Sequence, residues 1–213
     1  AAIGILKQNN IDTLVMAGAI RRPSLREMRP DLRTIKVFAR LGTAAFGDDA
    51  LLRAVVEELE KEGFGIAGAH EIEPALITPA GVMGNVQPGE QNRIDRDFGI
   101  KVTKTLGALD VGQAAVVQQG IVIGIEAIEG TDDLLARCRK HRRQGIGGVL
   151  VKACKPQQDR RVDLPTIGLR TVRRAYEAGL SGIAVEAGAS ILLDRDEVIA
   201  AADSLGLFIE GFT

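Results

Sequence analysis

VLVKACKPQQDRRVDLPTIG, residues 149–168, is the stretch of the chain on which our interpretation of the fold rests. It opens with apolar residues typical of a strand and continues as a run of cations, amides and carboxylates, broken by Pro156 and closed by Pro165. Proteins of the α/β class place chemistry where a strand ends in a polar loop and passes into a helix. Cations suit a phosphate-bearing ligand and carboxylates suit a metal ion or a water, although a solvated surface loop has the same composition.

The chain around this stretch alternates predicted strands and helices, which indicates an α/β protein. Two apolar runs around the turn Gln119-Gly120 predict a β-hairpin. The predicted helices lie between Gly47 and Gly63, at 90–106, at 132–140, from a cap at Thr166 to Gly179, and at 195–205. The predicted strands are 13–17, 64–72, 114–118, 121–125, 149–151, 182–185, 191–193 and 207–209.

Length, charge and composition restrict the class of protein. With 213 residues and a net charge of −1, the chain is long enough for a folded core but lacks the basic excess of a general nucleic-acid binder. Its two cysteines have no metal or disulfide spacing, and no spanning apolar run or signal peptide is visible, so we predict a cytoplasmic protein. Because the chain begins without Met, in what reads as the middle of a helix, we expect residues upstream of it.

Four carboxylates follow the second strand of the predicted hairpin, in EAIEGTDD at 126–133. Thr131 is predicted to cap the helix that follows, which leaves Asp132 and Asp133 as complements of the helix dipole. Glu126 and Glu129 have no such role and are predicted to point into a site. Glu186 stands at the end of another predicted strand and extends this set of strand-end acids.

Two groups of arginines allow alternative interpretations. The run RCRKHRR, residues 137–143, complements the dipole at a helix end, but the same cations on a surface would contact an anionic membrane. Arg21 and Arg22 follow the strand predicted at 13–17 and are compatible with a phosphate contact or with an ordinary turn.

The strand-end residues together define a candidate site. Its acids suit Mg²⁺, which prefers oxygen ligands and retains waters, and its lysines would neutralise phosphate oxygens as charge builds up. The chain has only two histidines, so a zinc site or a His-based triad has little support. The residues therefore predict a metal-assisted reaction on a phosphate-bearing small molecule. The set consists of Glu126, Glu129, Asp163, Glu186, Lys152, Lys155 and Arg161.

Six segments in a fixed order carry a family resemblance. They are GDDALLRAVVEELEKEGF, LDVGQAAVV, IEAIEGTDDLL, GVLVKACKPQQDRRVDLPTIG, GIAVEAG and ADSLGLFIEGF. Together they resemble the bacterial UDP-2,3-diacylglucosamine pyrophosphohydrolase family of lipid A biosynthesis, the LpxI type that is not calcineurin-like. The resemblance extends over nearly the whole chain.

The resemblance implies a fold and an activity. The fold is a small Rossmann-like N-terminal part, truncated here to residues 1–46, and a C-terminal mixed α/β catalytic domain of family-specific type, residues 47–213. The activity is Mg²⁺- or Mn²⁺-dependent hydrolysis of UDP-2,3-diacylglucosamine to 2,3-diacylglucosamine 1-phosphate (lipid X) and UMP. We expect a homodimer and, because the substrate carries acyl chains, peripheral contact with the cytoplasmic face of the inner membrane. A non-catalytic nucleotide-sugar or lipid-binding module of the same fold is the competing interpretation.

Site residues follow from the resemblance and from the residue types. The resemblance makes Asp163, the aspartate of DLPTIG, essential for catalysis. We predict that Asp163, Glu126, Glu129 and Lys152 are catalytic and that the three acids among them bind the metal. Substrate-binding residues are predicted to be Gln113, Thr131, Lys155, Gln158, Arg161, Thr166 and Glu186.

Overall fold

The computed structural model of the protein describes residues 2–18 and 48–213, with side chains in the second range from residue 52 onward. The chain forms two compact units. One comprises the residues up to Glu73 together with Asp159–Asp163, and the other comprises Pro74–Gln158 together with Leu164–Thr213. Arg21, Arg22 and the boundary expected between residues 46 and 47 lie outside the described residues.

In its described part, the first unit consists of short parallel strands and helices. Its elements are α1 (Ala2–Gln8), β1 (Thr13–Val15), α2 (Asp48–Lys61), β2 (Gly65–Ala67) and α3 (Ala69–Ile72). β1 and β2 lie parallel, with Thr13 opposite Gly65. The helix predicted before Gly63 is confirmed as α2, which buries Ala54 and Val56. α2 therefore belongs to this unit together with the strand that follows it.

The strand predicted at 64–72 is shorter than expected. β2 ends at Ala67, and α3 begins two residues later with Gly68 in an extended conformation at its N-cap. A Cβ at position 68 would lie too close to the ring of His70, so a side chain here would require that ring to move. His70 and Glu71 accordingly lie in a helix, and the prediction of a strand end there was wrong.

The second unit is a mixed sheet with helices on both faces. Its elements are β3 (Gly81–Met83), α4 (Glu90–Ala108), β4 (Ala114–Gln118), β5 (Ile121–Ile125), α5 (Gly130–Cys138), β6 (Val149–Lys152), β7 (Thr166–Ile167), α6 (Leu169–Glu177), β8 (Gly182–Glu186), β9 (Ile191–Leu192), α7 (Arg195–Leu205) and β10 (Phe208–Phe212). Six strands form one sheet in the order β3-β10-β8-β6-β4-β5, and β7 pairs with β9. β10, β8 and β6 are parallel, whereas the hairpin β4–β5 and the edge strand β3 are antiparallel to their neighbours. The predicted α/β class and hairpin are confirmed.

Alternate residues of the central strands enter two hydrophobic cores, one on each face of the sheet. Leu150 and Ile183 pack on the face covered by α5, α6 and α7. Val151 and Ala184 pack on the other face, where α4 approaches so closely that a Cβ at Gly99 would crowd Val151. Because both faces of β6 are covered, its sequence is a continuous apolar run rather than an alternating one.

Within the described ranges, no helix is both long and apolar enough to cross a bilayer.

Two threonines were predicted to cap helices, and both predictions were wrong. Thr131 lies inside the first turn of α5, whose N-cap is Glu129. Thr166 lies in β7 opposite Ile191, and the N-cap of α6 is Gly168. Thr166 is extended because a neighbouring strand offers backbone partners. The preference of threonine for helix N-caps, on which the prediction rested, takes no account of such a strand.

A buried aspartate fixes the turn of the β4–β5 hairpin. Asp95 of α4 is fully buried and accepts hydrogen bonds from the backbone N–H groups of Gln119, at 2.9 Å, and Gly120, at 2.7 Å. Both turn residues have positive φ, as the primed two-residue turns require. Asp95 thus ties the hairpin to the helix beneath it.

We expect Asp95→Ala to lower the free energy of unfolding by about 3 kcal/mol, since it leaves two turn N–H groups without their acceptor. Asp97→Ala is the matched control: Asp97 is exposed and pairs with its neighbour Arg96, so its loss should change stability by less than about 0.5 kcal/mol. Urea unfolding of the two variants beside the parent protein measures both. Equal stabilities of the two variants would contradict the role assigned to Asp95.

Candidate functional site

The carboxyl ends of the parallel strands and the open end of the hairpin meet at one edge of the six-stranded sheet. Lys152, the last residue of β6, lies opposite Val185 of β8 and opposite Ala114 at the start of β4. Ala115 lies opposite Ile125, so the chain leaves β5 at the same edge. We call this the carboxyl edge. It brings together eight predicted site residues: Gln113, Glu126, Thr131, Lys152, Lys155, Gln158, Thr166 and Glu186.

A buried lysine and a buried glutamate are joined at the carboxyl edge through a threonine hydroxyl. Only 6% of Glu126 and 5% of Lys152 is exposed. Lys152 Nζ donates to Thr131 Oγ1 at 2.9 Å, and the Thr131 hydroxyl donates to Glu126 Oε1 at 2.6 Å. Lys152 Nζ also lies 3.3 Å from the carbonyl oxygen of Thr166. These partners fix the direction of both charged side chains.

Gly112 allows the chain before β4 to lie against the chain after β5. A Cβ at this position would overlap the backbone carbonyl of Glu126. The close approach places the backbone N–H of Gln113 3.2 Å from Glu126 Oε2, so the second carboxylate oxygen also has a donor. Both oxygens of Glu126 are therefore hydrogen-bonded within the protein.

Gln158 organises the loop that follows β6. Its side-chain oxygen accepts a hydrogen bond from the backbone N–H of Lys155, at 3.0 Å, and one from the Cys154 thiol, at 3.3 Å. Its amide group donates to Gln113 Oε1 at 3.2 Å. Lys155 extends to Asp110, with 2.8 Å between Nζ and Oδ1. Residues 154–158 consequently form an ordered part of the carboxyl edge rather than a freely solvated loop.

Glu186 ends β8 and lies on the other side of the same loop. Its carboxylate accepts a hydrogen bond from the backbone N–H of Cys154 at 2.9 Å and lies 3.7 Å from Lys104 Nζ. Behind it, the buried hydroxyl of Ser190 lies 2.9 Å from Thr78 Oγ1 and 2.7 Å from the carbonyl oxygen of Glu186. Sequence reasoning missed Ser190 and Thr78, because they are far apart in the chain and belong to no recognisable motif.

The other acids after β5 lie in different surroundings. Glu129 forms an ion pair with Arg137. Desolvation raises the pKa of Glu129, but hydrogen bonds from backbone N–H groups and from Arg137 outweigh it and lower the pKa below its ordinary value. Asp132 pairs with the exposed Arg170 at 2.9 Å. Neither acid takes part in the bridged pair of buried charges.

Asp163 and Arg161 belong to the first unit, in the segment Asp159–Asp163. Arg161 donates to Asp159 Oδ2 and to Glu60 Oε1, each at 2.7 Å. The hydrogen bonds from Arg161 hold the pKa of Asp159 below its ordinary value. The backbone N–H of Asp163 donates to the carbonyl oxygen of Asp159 at 3.1 Å, which closes the segment into a compact turn. Arg161, predicted to bind substrate, thus has two carboxylate partners within its own unit.

The predicted metal ligands belong to two units: Asp163 lies in the first, and Glu126 and Glu129 follow β5 in the second. Among residues 2–18 and 48–213, no group of three or more His, Cys, Asp and Glu side chains is arranged to hold a metal ion. Glu129 is paired with Arg137, and Glu126 adjoins the hydrogen-bonded Lys152, whose charge opposes a second cation. Mg²⁺ often binds through one or two carboxylates together with substrate phosphates, so these residues fit an ion brought with a phosphate ligand better than a resident one.

The basic run 137–143 begins at the carboxyl edge, where Arg137 donates to the carbonyl oxygen of Ile125 at 2.7 Å, and the residues after Arg137 lead away from this edge. α5 begins just after β5 and ends at Cys138, and Arg143 then donates from its backbone to Gln118 Oε1 and from its side chain to Gln119 Oε1 at the hairpin turn. The five residues of β4 separate this end of the sheet from the carboxyl edge by roughly 17 Å. Arg139 and Lys140 accordingly lie at the opposite end of the sheet from Lys152.

Comparison with known proteins identifies the family. Residues 1–76 match the family model for the LpxI N-terminal domain, and residues 79–210 match that for the LpxI C-terminal domain. The protein named UDP-2,3-diacylglucosamine pyrophosphatase LpxI of Caulobacter vibrioides is 47% identical over an alignment of 213 positions, which covers 97% of this chain and 76% of that protein. On this evidence, the chain belongs to the LpxI family.

Proposed function

We propose that this protein hydrolyses the pyrophosphate bond of UDP-2,3-diacylglucosamine to 2,3-diacylglucosamine 1-phosphate and UMP, a step of lipid A biosynthesis. The observation that carries the proposal is the 47% identity, over 97% of the chain, to a protein named for pyrophosphatase action on this substrate. In the reaction, a water oxygen bonds to one phosphorus and its proton is released to solvent, while the bond from that phosphorus to the bridging oxygen breaks and the leaving phosphate takes the electron pair.

The carboxyl edge supports this chemistry through preorganised charge. Lys152 is held by Thr131 and by the carbonyl oxygen of Thr166, so its ammonium needs little reorganisation to stabilise charge on a pyrophosphate oxygen. The Thr131 hydroxyl donates its hydrogen to Glu126, so the hydroxyl oxygen accepts a hydrogen bond from the Lys152 ammonium. We assign Lys152 to phosphate binding and Glu126 to holding it in place, with Gln113, Lys155 and Gln158 shaping the surrounding loop.

We assign the attacking water to Asp163. A backbone hydrogen bond to Asp159 holds Asp163 in place, and Pro165 restricts Leu164, the residue between them, to extended conformations. A carboxylate with so little backbone freedom orients a water without reorganisation during the reaction. This assignment rests on the family motif DLPTIG and on the rigidity of the turn.

We further propose that turnover requires Mg²⁺ or Mn²⁺. When bound, such an ion would neutralise pyrophosphate oxygens and polarise phosphorus. Asp163 in the first unit and Glu126 at the carboxyl edge are each proposed as ligands of this ion. The absence of a three-carboxylate group among the described residues is compatible with an ion that arrives with the substrate.

The remaining parts of the proposal concern architecture and location. The parallel pair β1–β2, with α2 before β2, supports a Rossmann-like first unit. Because the proposed substrate is a membrane lipid, we propose peripheral contact with the cytoplasmic face of the inner membrane. A homodimer is expected from the family resemblance alone.

The decisive experiment measures UMP release from UDP-2,3-diacylglucosamine dispersed in detergent, with Mg²⁺ and with EDTA. We expect UMP with Mg²⁺ and none in EDTA. Full turnover in chelator would contradict the metal requirement but not the proposed hydrolysis. Binding of the substrate without UMP in any divalent ion would instead favour the non-catalytic module.

The surroundings of the strand-end acids predict a ranking of their variants. Glu126→Gln should lower kcat by about 10²-fold or more, because the Lys152–Thr131 geometry loses its buried anion. Glu129→Gln and Asp132→Asn should change kcat by less than about fivefold, since these acids pair with arginines of the α5 and α6 surfaces. Steady-state kinetics with thermal unfolding separates catalysis from folding. A Glu129→Gln protein as impaired as Glu126→Gln would contradict the ranking.

Asp163→Ala should fold normally, retain KM within about tenfold and lose at least about 10³-fold in kcat. Because Asp159 and Arg161 hold the turn at Asp159–Asp163, the substitution should slow the reaction without unfolding the turn. Asp132→Asn serves as the matched control for removal of one negative charge. Near-parental turnover by a soluble Asp163→Ala protein would show that another group positions the water.

A further inference from the structure

Gln113 stands at the carboxyl edge on a backbone that is bonded on both sides. Its N–H donates to Glu126 Oε2 at 3.2 Å, and its carbonyl oxygen accepts from the backbone N–H of Ala153 at 3.0 Å. Ala114, the next residue, lies opposite Lys152 in the sheet. Gln113 is therefore held beside Lys152, and its side-chain amide is the part whose direction has still to be fixed.

One backbone N–H determines which way two glutamine amides face. The atom of the Gln158 amide that lies 3.0 Å from the backbone N–H of Lys155 has to be the oxygen, because an amide nitrogen cannot accept. The other end of this amide is then the donor nitrogen, so the Gln113 atom that lies 3.2 Å from it has to be an oxygen as well. The amide nitrogen of Gln113 consequently faces away from Gln158. We call this chain of bonds the amide relay.

The two ends of the amide relay differ in their access to water. Gln158 is only 7% exposed, so water does not compete for its bonds. Gln113 is half-buried, and within the described ranges its amide nitrogen has no hydrogen-bond partner and is not enclosed by protein. Gln113 thus presents a donor of fixed direction to a ligand at the carboxyl edge.

A fixed amide direction favours a ligand atom that accepts but does not donate. A sugar hydroxyl does both and would bind either end of the amide. A phosphoryl oxygen only accepts, and its negative charge is favoured by the adjacent ammonium of Lys152. The uncharged carbonyl oxygen of a base accepts too, but it gains less from that ammonium. The surroundings of Gln113 therefore favour a phosphoryl oxygen.

The acids nearest to Gln113 have donors within the protein. Glu126 is hydrogen-bonded through both carboxylate oxygens, and Glu186 accepts from the backbone N–H of Cys154. An uncharged amide donor recognises an anion here without adding a further charge to the buried pair of Glu126 and Lys152.

We propose that Gln158 is a positioning residue that fixes the Gln113 amide, so that the Gln113 nitrogen donates to a phosphoryl oxygen of the ligand. The inference deepens the proposed function and rests on it for a ligand with a pyrophosphate group. Gln113 touches the ligand, whereas Gln158 acts through Gln113.

The test reverses the amide relay by changing one side-chain group. Gln158→Glu keeps an acceptor for the Lys155 N–H but loses the donor to Gln113. At pH 8, where the introduced carboxylate is ionised, the Gln113 amide should rotate to donate to it and turn its own oxygen towards the ligand. We expect binding of inorganic pyrophosphate, measured by titration calorimetry, to weaken by about tenfold or more.

A double-mutant cycle separates the amide relay from the added charge. Gln113→Met removes the amide and should weaken pyrophosphate binding by about tenfold on its own. In that background Gln158→Glu should add less than about threefold, because no amide is left to rotate. An equal loss from Gln158→Glu in both backgrounds would overturn the proposal. Unchanged binding by Gln113→Met would overturn it too, whether or not Gln158→Glu folds.

A control and a second probe complete the binding experiment. Gln144→Glu adds the same charge at the hairpin-turn end, where Gln144 is exposed, and should leave binding unchanged. UDP is the second probe, and Gln158→Glu should weaken its binding by the same factor as that of pyrophosphate. A loss confined to UDP would assign the Gln113 nitrogen to the base and overturn the phosphoryl assignment, as would a parent protein that does not bind pyrophosphate.

Binding and turnover are measured separately, so this inference and the proposed function fail independently. A parent protein that binds pyrophosphate through the amide relay but releases no UMP from UDP-2,3-diacylglucosamine would overturn the hydrolase alone. A parent protein that releases UMP while Gln113 and Gln158 show no coupling would overturn the amide relay alone.

Discussion

The carboxyl edge depends on the pair of buried charges formed by Lys152 and Glu126 and bridged by the Thr131 hydroxyl. Removing one member of a buried pair leaves an uncompensated charge, at a cost of about 3–5 kcal/mol. The pair therefore constrains the strands that carry it. A slip of one residue in β6 would turn Lys152 to the other face of the sheet, so the register with β4 and β8 has to be kept. The same register aligns Glu186 with the loop after β6.

Much of the second unit could be predicted from the sequence because its signals are local. The bounds of the last helix, Arg195–Leu205, agree with the structure, as do both strands of the hairpin around Gln119-Gly120. The prediction that Glu126 and Lys152 share a site followed from the rule that chemistry collects where parallel strands end. The structure brings the two side chains together because topology rather than side-chain detail determines which strand ends meet; their shared role in a reaction stays a prediction.

The failures come from interactions that no local pattern records. Thr131 has the sequence context of a helix cap, yet its hydroxyl serves two buried charges from elsewhere in the chain. Glu129 follows the same strand as Glu126 but forms an ion pair with Arg137, two turns along the helix, which no local pattern predicts; its role in the site stays a prediction. The polar residues between the strand at 149–151 and Pro165 were predicted to form one loop, whereas Asp159–Asp163 packs in a different unit from the residues on either side. Each of these outcomes is decided by partners that are brought close only by the fold.

The position of the basic run follows from the direction of the chain. α5 begins just after the carboxyl end of β5 and runs back along the sheet, so its N-terminus lies near the carboxyl edge and its C-terminus near the hairpin turn. Helix N-termini favour negative charge and C-termini favour positive charge. The dipole of α5 therefore stabilises both the acids at 126–133, near its N-terminus, and the cations at 137–143, near its C-terminus. Of the two interpretations of the arginine run, complement of the helix dipole is the one that this topology supports.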